Sequence, residues 1–247
     1  MLGLPEAVRG CLFDLDGVVT RTATVHARAW KETFDAFLRK RADESGEPFV
    51  PFDPGADYDQ YVDGRPRLDG TRGFLESRGI TLPEGEPDDP PGSPTIQGIS
   101  NAKNDLVLEL LDRDGVEVYD GSVRYLHAAR DAGLRTAVVS SSANTAQVLK
   151  VAGLTDLFEA RIDGVVAHER GLPGKPAPDT FLAGAEALGL APAQAAVFED
   201  ALAGVQAGKA GHFGIVVGVD RVGQADALRA HGADVVVSDL AELMDQR

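Results

Sequence analysis

The sequence predicts an α/β protein: a Rossmann-like parallel sheet with helices on both faces and an inserted helical cap. Three observations carry this. Short apolar runs rich in Val, Phe and Ala recur between helical patterns, at residues 9–14, 134–140, 195–199, 214–219 and 234–237. Such runs suit strands buried on both faces of a parallel sheet. The gap between the first and second runs is roughly a hundred residues, too long for one crossover, and so calls for an inserted domain. Finally, two of the runs end in paired acids, Asp14-Leu15-Asp16-Gly17 and Glu199-Asp200. Open parallel sheets place their ligands at that C-terminal edge.

The first strand reads Cys11-Leu12-Phe13-Asp14. Alternate strand residues share a face, so Asp14 and Asp16 leave its end together. Two carboxylates 4 Å apart repel by ~4 kcal/mol at an effective dielectric near 20. Offsetting this repulsion needs a cation or a proton, and the reading that follows is Mg²⁺ and phosphate, with one Asp as nucleophile and the other as acid/base. The insertion opens with a helical stripe, Ala23, Ala27, Trp30, Phe34 and Phe37, and closes with Leu106, Val107, Leu110 and Leu111. Residues 41–54 and 82–93, charged and proline-bearing, read as exposed loops. The expected division is a core of residues 1–20 and 113–247 and a cap of residues 21–112. In the core, Val123, Leu126 and Ala129 mark one helix and Phe181, Ala185 and Leu188 another. Residues 201–210 form a small-residue helix suited to close packing on the sheet.

Composition narrows the partners. The chain has 247 residues and a formal net charge of −15, which argues against nucleic acid and anionic membranes. It carries one cysteine, Cys11, so no intramolecular disulfide forms, and a cytoplasmic location is expected. In the central strand that thiol reads as a small buried hydrophobe. No apolar run resembles a signal peptide or a membrane span. A monomer is expected.

Three further segments fall at element ends. Ser140-Ser141-Ser142-Ala143-Asn144 closes a strand and opens a helix, where hydroxyls and free N–H groups bind anions or cap the helix. Gly174-Lys175-Pro176-Ala177-Pro178-Asp179 is a stiff loop with one cation, suited to a fixed phosphate or carboxylate partner. Glu199 and Asp200 repeat the first acidic end. Neighbouring strands would bring Asp14, Asp16, Glu199 and Asp200 to one edge, an oxygen-only site suited to Mg²⁺.

In this order the four segments resemble the four motifs of the haloacid dehalogenase superfamily of phosphotransferases. The resemblance implies that Asp14 is the nucleophile, forming an aspartyl-phosphate, and that Asp16 is the general acid/base, lending its backbone carbonyl to the metal. Ser140 and Lys175 would hold the transferring phosphoryl group. Asp14, Asp16, Glu199 and Asp200 would make up the Mg²⁺ site.

The stretch from Thr20 to Lys31, with Tyr61-Val62-Asp63-Gly64-Arg65-Pro66-Arg67 and Asn101-Ala102-Lys103-Asn104-Asp105, resembles the cap of the β-phosphoglucomutase-like subgroup. By that resemblance Thr22 and His26 couple cap closure to Asp16. Arg67, Lys103, Ser142 and Asn144 bind the sugar and its non-reacting phosphate. Trp30 borders the pocket, although its apolar phase suits cap core equally. The implied reaction interconverts β-glucose 1-phosphate and glucose 6-phosphate, with a small phosphorylated sugar as partner and glucose 1,6-bisphosphate as activator. The alternative is a sugar-phosphate phosphatase. Three positions depart from the subgroup: Ala143 stands in place of a lysine, Ala102 in place of an arginine, and Arg21 in place of an acid.

Overall fold

The computed structural model describes residues 2–244. Met1 and residues 245–247, which the expected core includes, lie outside the described residues. Six segments pair in parallel: β1 (Gly10–Phe13), β2 (Arg135–Val139), β3 (Ala160–Ile162), β4 (Ala195–Glu199), β5 (Ile215–Val219) and β6 (Val235–Val237). They form one sheet in the order β3-β2-β1-β4-β5-β6. Five of the strands follow the apolar runs. The sixth, β3, escaped because three residues with a central arginine, Ala160-Arg161-Ile162, carry no apolar pattern. Among the described residues no helix is long and apolar enough to cross a membrane.

The chain divides into two compact units, Met1–Thr22 with Val116–Arg247, and Ala23–Gly115. Around the sheet of the first unit lie α4 (Asp120–Asp131), α5 (Thr145–Ala152), α6 (Gly164–Glu169), α7 (Asp179–Ala187), α8 (Leu202–Ala210) and α9 (Ala225–His231). Strand pleating sorts the core into two layers. Leu12, Val139 and Val197 share one cluster with Phe181 and Ala185 of α7 and Val205 of α8. Gly184 brings α7 close, since a Cβ there would lie 2.9 Å from Val139. On the opposite face, Phe13 stacks on Phe198 with centroids 4.5 Å apart, and both meet the edge of Tyr125 from α4. Cys11 is fully buried in β1, and burial pushes its thiol up to about 12, which keeps it protonated and inert.

The second unit is built on α1 (Thr22–Ser45, whose first residue belongs to the first unit), α2 (Arg67–Ser77) and α3 (Ile96–Asp114), with one π-helical turn at Tyr58–Val62. Its core is aromatic. Phe34 is stacked on Trp30 at 4.9 Å and packed against Phe74 at 4.2 Å and Phe52 at 5.2 Å. The two expected loops are more ordered than their composition implied. Helix α1 continues through Ser45, and Phe52 is only 1% exposed. Asp35 accepts from Phe52 N at 2.8 Å, and Lys31 donates to Phe52 O at 3.0 Å, so one ion pair on α1 pins the segment inward. Residues 82–93 act as a strap. Pro83 O and Glu84 O accept from the first N–H groups of α3, and Asn101 donates to Pro87 O and Asp89 O. The orphan donors of a helix start decide this, and composition does not reveal it.

Truncating a fully buried ring surrounded by other rings leaves a cavity that rigid neighbours do not fill. Phe34→Ala is expected to cost about 3–5 kcal/mol, read as a lower urea midpoint for the transition of this unit.

Candidate active site

Parallel register brings the two acidic ends together. Phe13 pairs with Val138 on β2 and with Phe198 on β4, so Asp14 and Glu199 come next, side by side. The pleat places both on the α7 face, beneath the loop that leads into α7. That loop delivers Lys175. Its ammonium donates to Asp14 Oδ1 at 2.5 Å, Glu199 Oε1 at 2.6 Å and Val139 O at 3.2 Å, using all three donors. Lys175 also lies 4.8 Å from the centroid of the Phe181 ring. Glu199 is fully buried and its second oxygen accepts from Ala201 N at 2.8 Å.

Burial pushes the Asp14 carboxyl well above its ordinary value; Lys175 pulls it back, while Glu199 and Asp16 push it further up. Burial on its own would lower Lys175, but the Asp14 and Glu199 carboxylates outweigh it and hold the ammonium above its ordinary value. Asp14, Glu199 and Asp200 offer oxygens that all lie within 4.8 Å of one another. Three carboxyl groups gather here beside one ammonium. An oxygen-only, acid-rich donor set fits a hard divalent cation such as Mg²⁺.

Two glycines make the cluster sterically possible. Gly17 adopts φ +94°, and a Cβ on it would collide with the Asp200 carboxylate. A Cβ on Gly204, in the first turn of α8, would collide with the Glu199 carboxylate. The small-residue helix read from the sequence therefore makes room for an acid as well as for the sheet.

Asp16 stands apart from the three-carboxylate group, and its side chain is held by hydroxyls. Thr22 Oγ1 donates to Asp16 Oδ1, and Ser140 Oγ donates to Asp16 Oδ2 at 3.3 Å. Thr20 lies 2.6 Å from Thr22 Oγ1 and donates to Leu15 O. The loop beyond β2 is internally braced. Ser140 Oγ accepts from Ser142 N, Ser142 Oγ accepts from Asn144 N, and Thr145 Oγ1 donates to Ser142 O. Ser142 and Asn144 thus belong to the same loop as Ser140.

In the Ala23–Gly115 unit, Lys103 Nζ lies 2.7 Å from His26 Nδ1 and 4.8 Å from the centroid of the Trp30 ring. Lys103 is 5% exposed. Trp30 is 4% exposed and stacked on Phe34, so it is a core residue that also supports Lys103. Its burial in this aromatic cluster accords with its apolar helical phase. Arg67 opens α2; burial lowers its guanidinium below its ordinary value, with Asp105 acting in the opposite direction. Arg67 Nε is buried without a hydrogen-bond partner among the described residues.

The fold agrees with known proteins. The model of the haloacid dehalogenase-like hydrolase family matches residues 8–212, and the chain belongs to that family. Proteins named beta-phosphoglucomutase from Mycobacterium bovis and Mycobacterium tuberculosis are each 59% identical over 247 residues, covering 99% of this chain and 94% of theirs. The chain is thus an enzyme of the family and a homologue of those proteins. The crystal structure of beta-phosphoglucomutase from Clostridium difficile shares the fold. Its TM-score is 0.75 at 24% identity, covering 96% of this chain and 93% of that one.

A carboxyl whose folded pKa is raised binds its proton more tightly in the native state. For Asp14 that contribution is full at low pH and is lost as pH rises from the ordinary value of 3.8 through the raised one. In metal-free protein, Asp14→Asn is therefore expected to be more stable than wild type at neutral pH. The difference should shrink as pH falls toward 4. Urea titrations of both proteins in chelator, across that range, measure it.

Proposed function

We propose that the chain is a Mg²⁺-dependent phosphomutase that interconverts β-glucose 1-phosphate and glucose 6-phosphate through a phosphoryl group carried on Asp14. The observation that carries this is the 59% identity to proteins named beta-phosphoglucomutase across nearly the whole chain. The buried Asp14–Lys175–Glu199 geometry supports it.

Asp14 attacks the phosphorus of a sugar bisphosphate. The bond from phosphorus to the sugar oxygen breaks, and Asp16 gives that oxygen a proton. In the return step Asp16 takes the proton from the incoming sugar hydroxyl, which attacks the phosphoryl group on Asp14. Thr22 holds Asp16 in the orientation both transfers need. Lys175, beside Asp14, and Ser140 would each turn a donor from a present partner to the equatorial phosphoryl oxygens. Asp14 and Asp200 would hold Mg²⁺ with the backbone carbonyl of Asp16, and Glu199 would stand beside them while anchoring Lys175. Bound there, the cation offsets repulsion between the attacking carboxylate and the phosphoryl oxygens.

A mutase also needs groups for the phosphate that is not reacting. Arg67 and Lys103 are the cationic candidates of the Ala23–Gly115 unit. The uncommitted Nε of Arg67 supports this role, and His26 and Trp30 fix Lys103. Ser142 and Asn144 are the candidates of the sheet-bearing unit. One observation favours hydrolysis as a second reading: Ala143 removes a cation from the loop that carries them.

Phosphorus NMR of the purified protein with Mg²⁺ and β-glucose 1-phosphate separates the two readings. Glucose 6-phosphate is expected, formed faster with catalytic glucose 1,6-bisphosphate and not formed by Asp14→Asn. Release of inorganic phosphate alone would establish the phosphatase instead.

A further inference from the structure

The turn after β1 uses most of its polar groups internally. Val19 N and Thr20 N both donate to Leu15 O, and Gly17 N donates to Thr20 O. The carbonyls of Gly17 and Val18 are taken by one side chain from elsewhere in the sheet-bearing unit. Arg221, in the loop after β5, donates from Nε to Gly17 O at 2.8 Å and from Nη2 to Val18 O at 3.3 Å. Its Nη1 donates to Ser238 O at 2.7 Å, and its guanidinium carbon lies 3.5 Å from the centroid of the Tyr119 ring. Tyr119 N in turn donates to Val19 O, so the ring is tied to the same turn. A guanidinium fork that is both hydrogen-bonded and stacked has little freedom, which a lysine would not reproduce.

The same loop reaches the second acidic end. Gln224 Nε2 donates to Asp200 O at 3.1 Å. The loop is stiff because Asp220 Oδ1 accepts from the N–H groups of Val222, Gly223 and Gln224. Strand β5 neighbours β4 and not β1 in the sheet, so Arg221 spans a strand to reach Gly17. The two acidic turns meet where the Asp200 carboxylate rests against Gly17. One short loop therefore grips both turns, each by its backbone.

We infer that Arg221 is a positioning residue of the metal site: stacked on Tyr119, it holds the Gly17–Val18 turn at a fixed spacing from Asp200, and Gln224 holds Asp200 to the same loop. The inference rests on the metal-dependent reading given above. Arg221 holds the backbone of the turn that follows Asp14 and Asp16, and its charge also faces Asp200. Residues that orient ligands from behind typically change metal affinity by about 10–100-fold.

Mn²⁺ is the probe, titrated into metal-free protein and followed by electron paramagnetic resonance. Arg221→Gln is expected to weaken Mn²⁺ by about tenfold, and Arg221→Lys, which keeps the charge but not the fork or the stack, to fall between it and wild type. The Mg²⁺ concentration for half-maximal turnover should rise in the same order. Arg135→Gln is the control for general destabilisation. Arg135 bonds Leu188 O and Glu159 at the opposite end of the sheet, and its loss should leave Mn²⁺ affinity unchanged. If Arg221→Gln fails to fold, Tyr119→Leu decides, with weaker Mn²⁺ binding expected from loss of the stacked ring. Folded Arg221 variants, or Tyr119→Leu, that bind Mn²⁺ as wild type does would overturn the inference. A wild-type protein that binds no Mn²⁺ would instead remove the metal reading beneath it.

Discussion

The ammonium of Lys175 is the one group that lets three strand ends share an edge. It donates to a carboxylate on β1's extension, a carboxylate at the end of β4 and the last carbonyl of β2. Without it, Asp14 and Glu199 would be buried as adjacent like charges, a costly arrangement in low dielectric. Lys175 arrives on the same loop that starts α7, and α7 packs on the Leu12 and Val139 face. Core packing and the Lys175 ion pairs thus meet on one loop.

Asp200 adds a third carboxylate within reach of Asp14 and Glu199. Burial first, then the neighbouring Glu199 and Asp16, holds the Asp14 carboxyl above its ordinary value. The steric side of the same constraint falls on Gly17 and Gly204, whose missing side chains leave room for Asp200 and Glu199. Electrostatics and backbone shape both accord with the proposal that this edge would bring a cation and a phosphoryl group to Asp14.

Much of this was legible in the sequence because the relevant signals are local. An apolar run that ends in acids marks both the strand and the site, so β1, β4 and their carboxylates were found together. Lys175 stood out as the one cation in a proline-stiffened loop. What stayed hidden depends on long-range partners. Strand β3 is three residues with an arginine in the middle and gains its identity from pairing with β2. Phe52 lies in a charged, proline-bearing stretch, and only its bonds to Lys31 and Asp35 reveal why it is buried. Arg221 sits in a loop without any motif, and its meaning comes from the sheet order that brings β5's loop within reach of β1's. Trp30 was ambiguous from its helical phase, and its stacking on Phe34 depends on a partner that the phase does not reveal.

The central claim is that Asp14 carries the phosphoryl group and that Lys175 makes this possible. Acid-quenched protein, taken moments after mixing with Mg²⁺ and glucose 1,6-bisphosphate, can be digested and weighed by mass spectrometry. The account predicts one added phosphoryl group on the peptide that contains Asp14 in wild type, and none in Lys175→Met. A phosphoryl group on any other residue, or equal labelling of Lys175→Met, would contradict it.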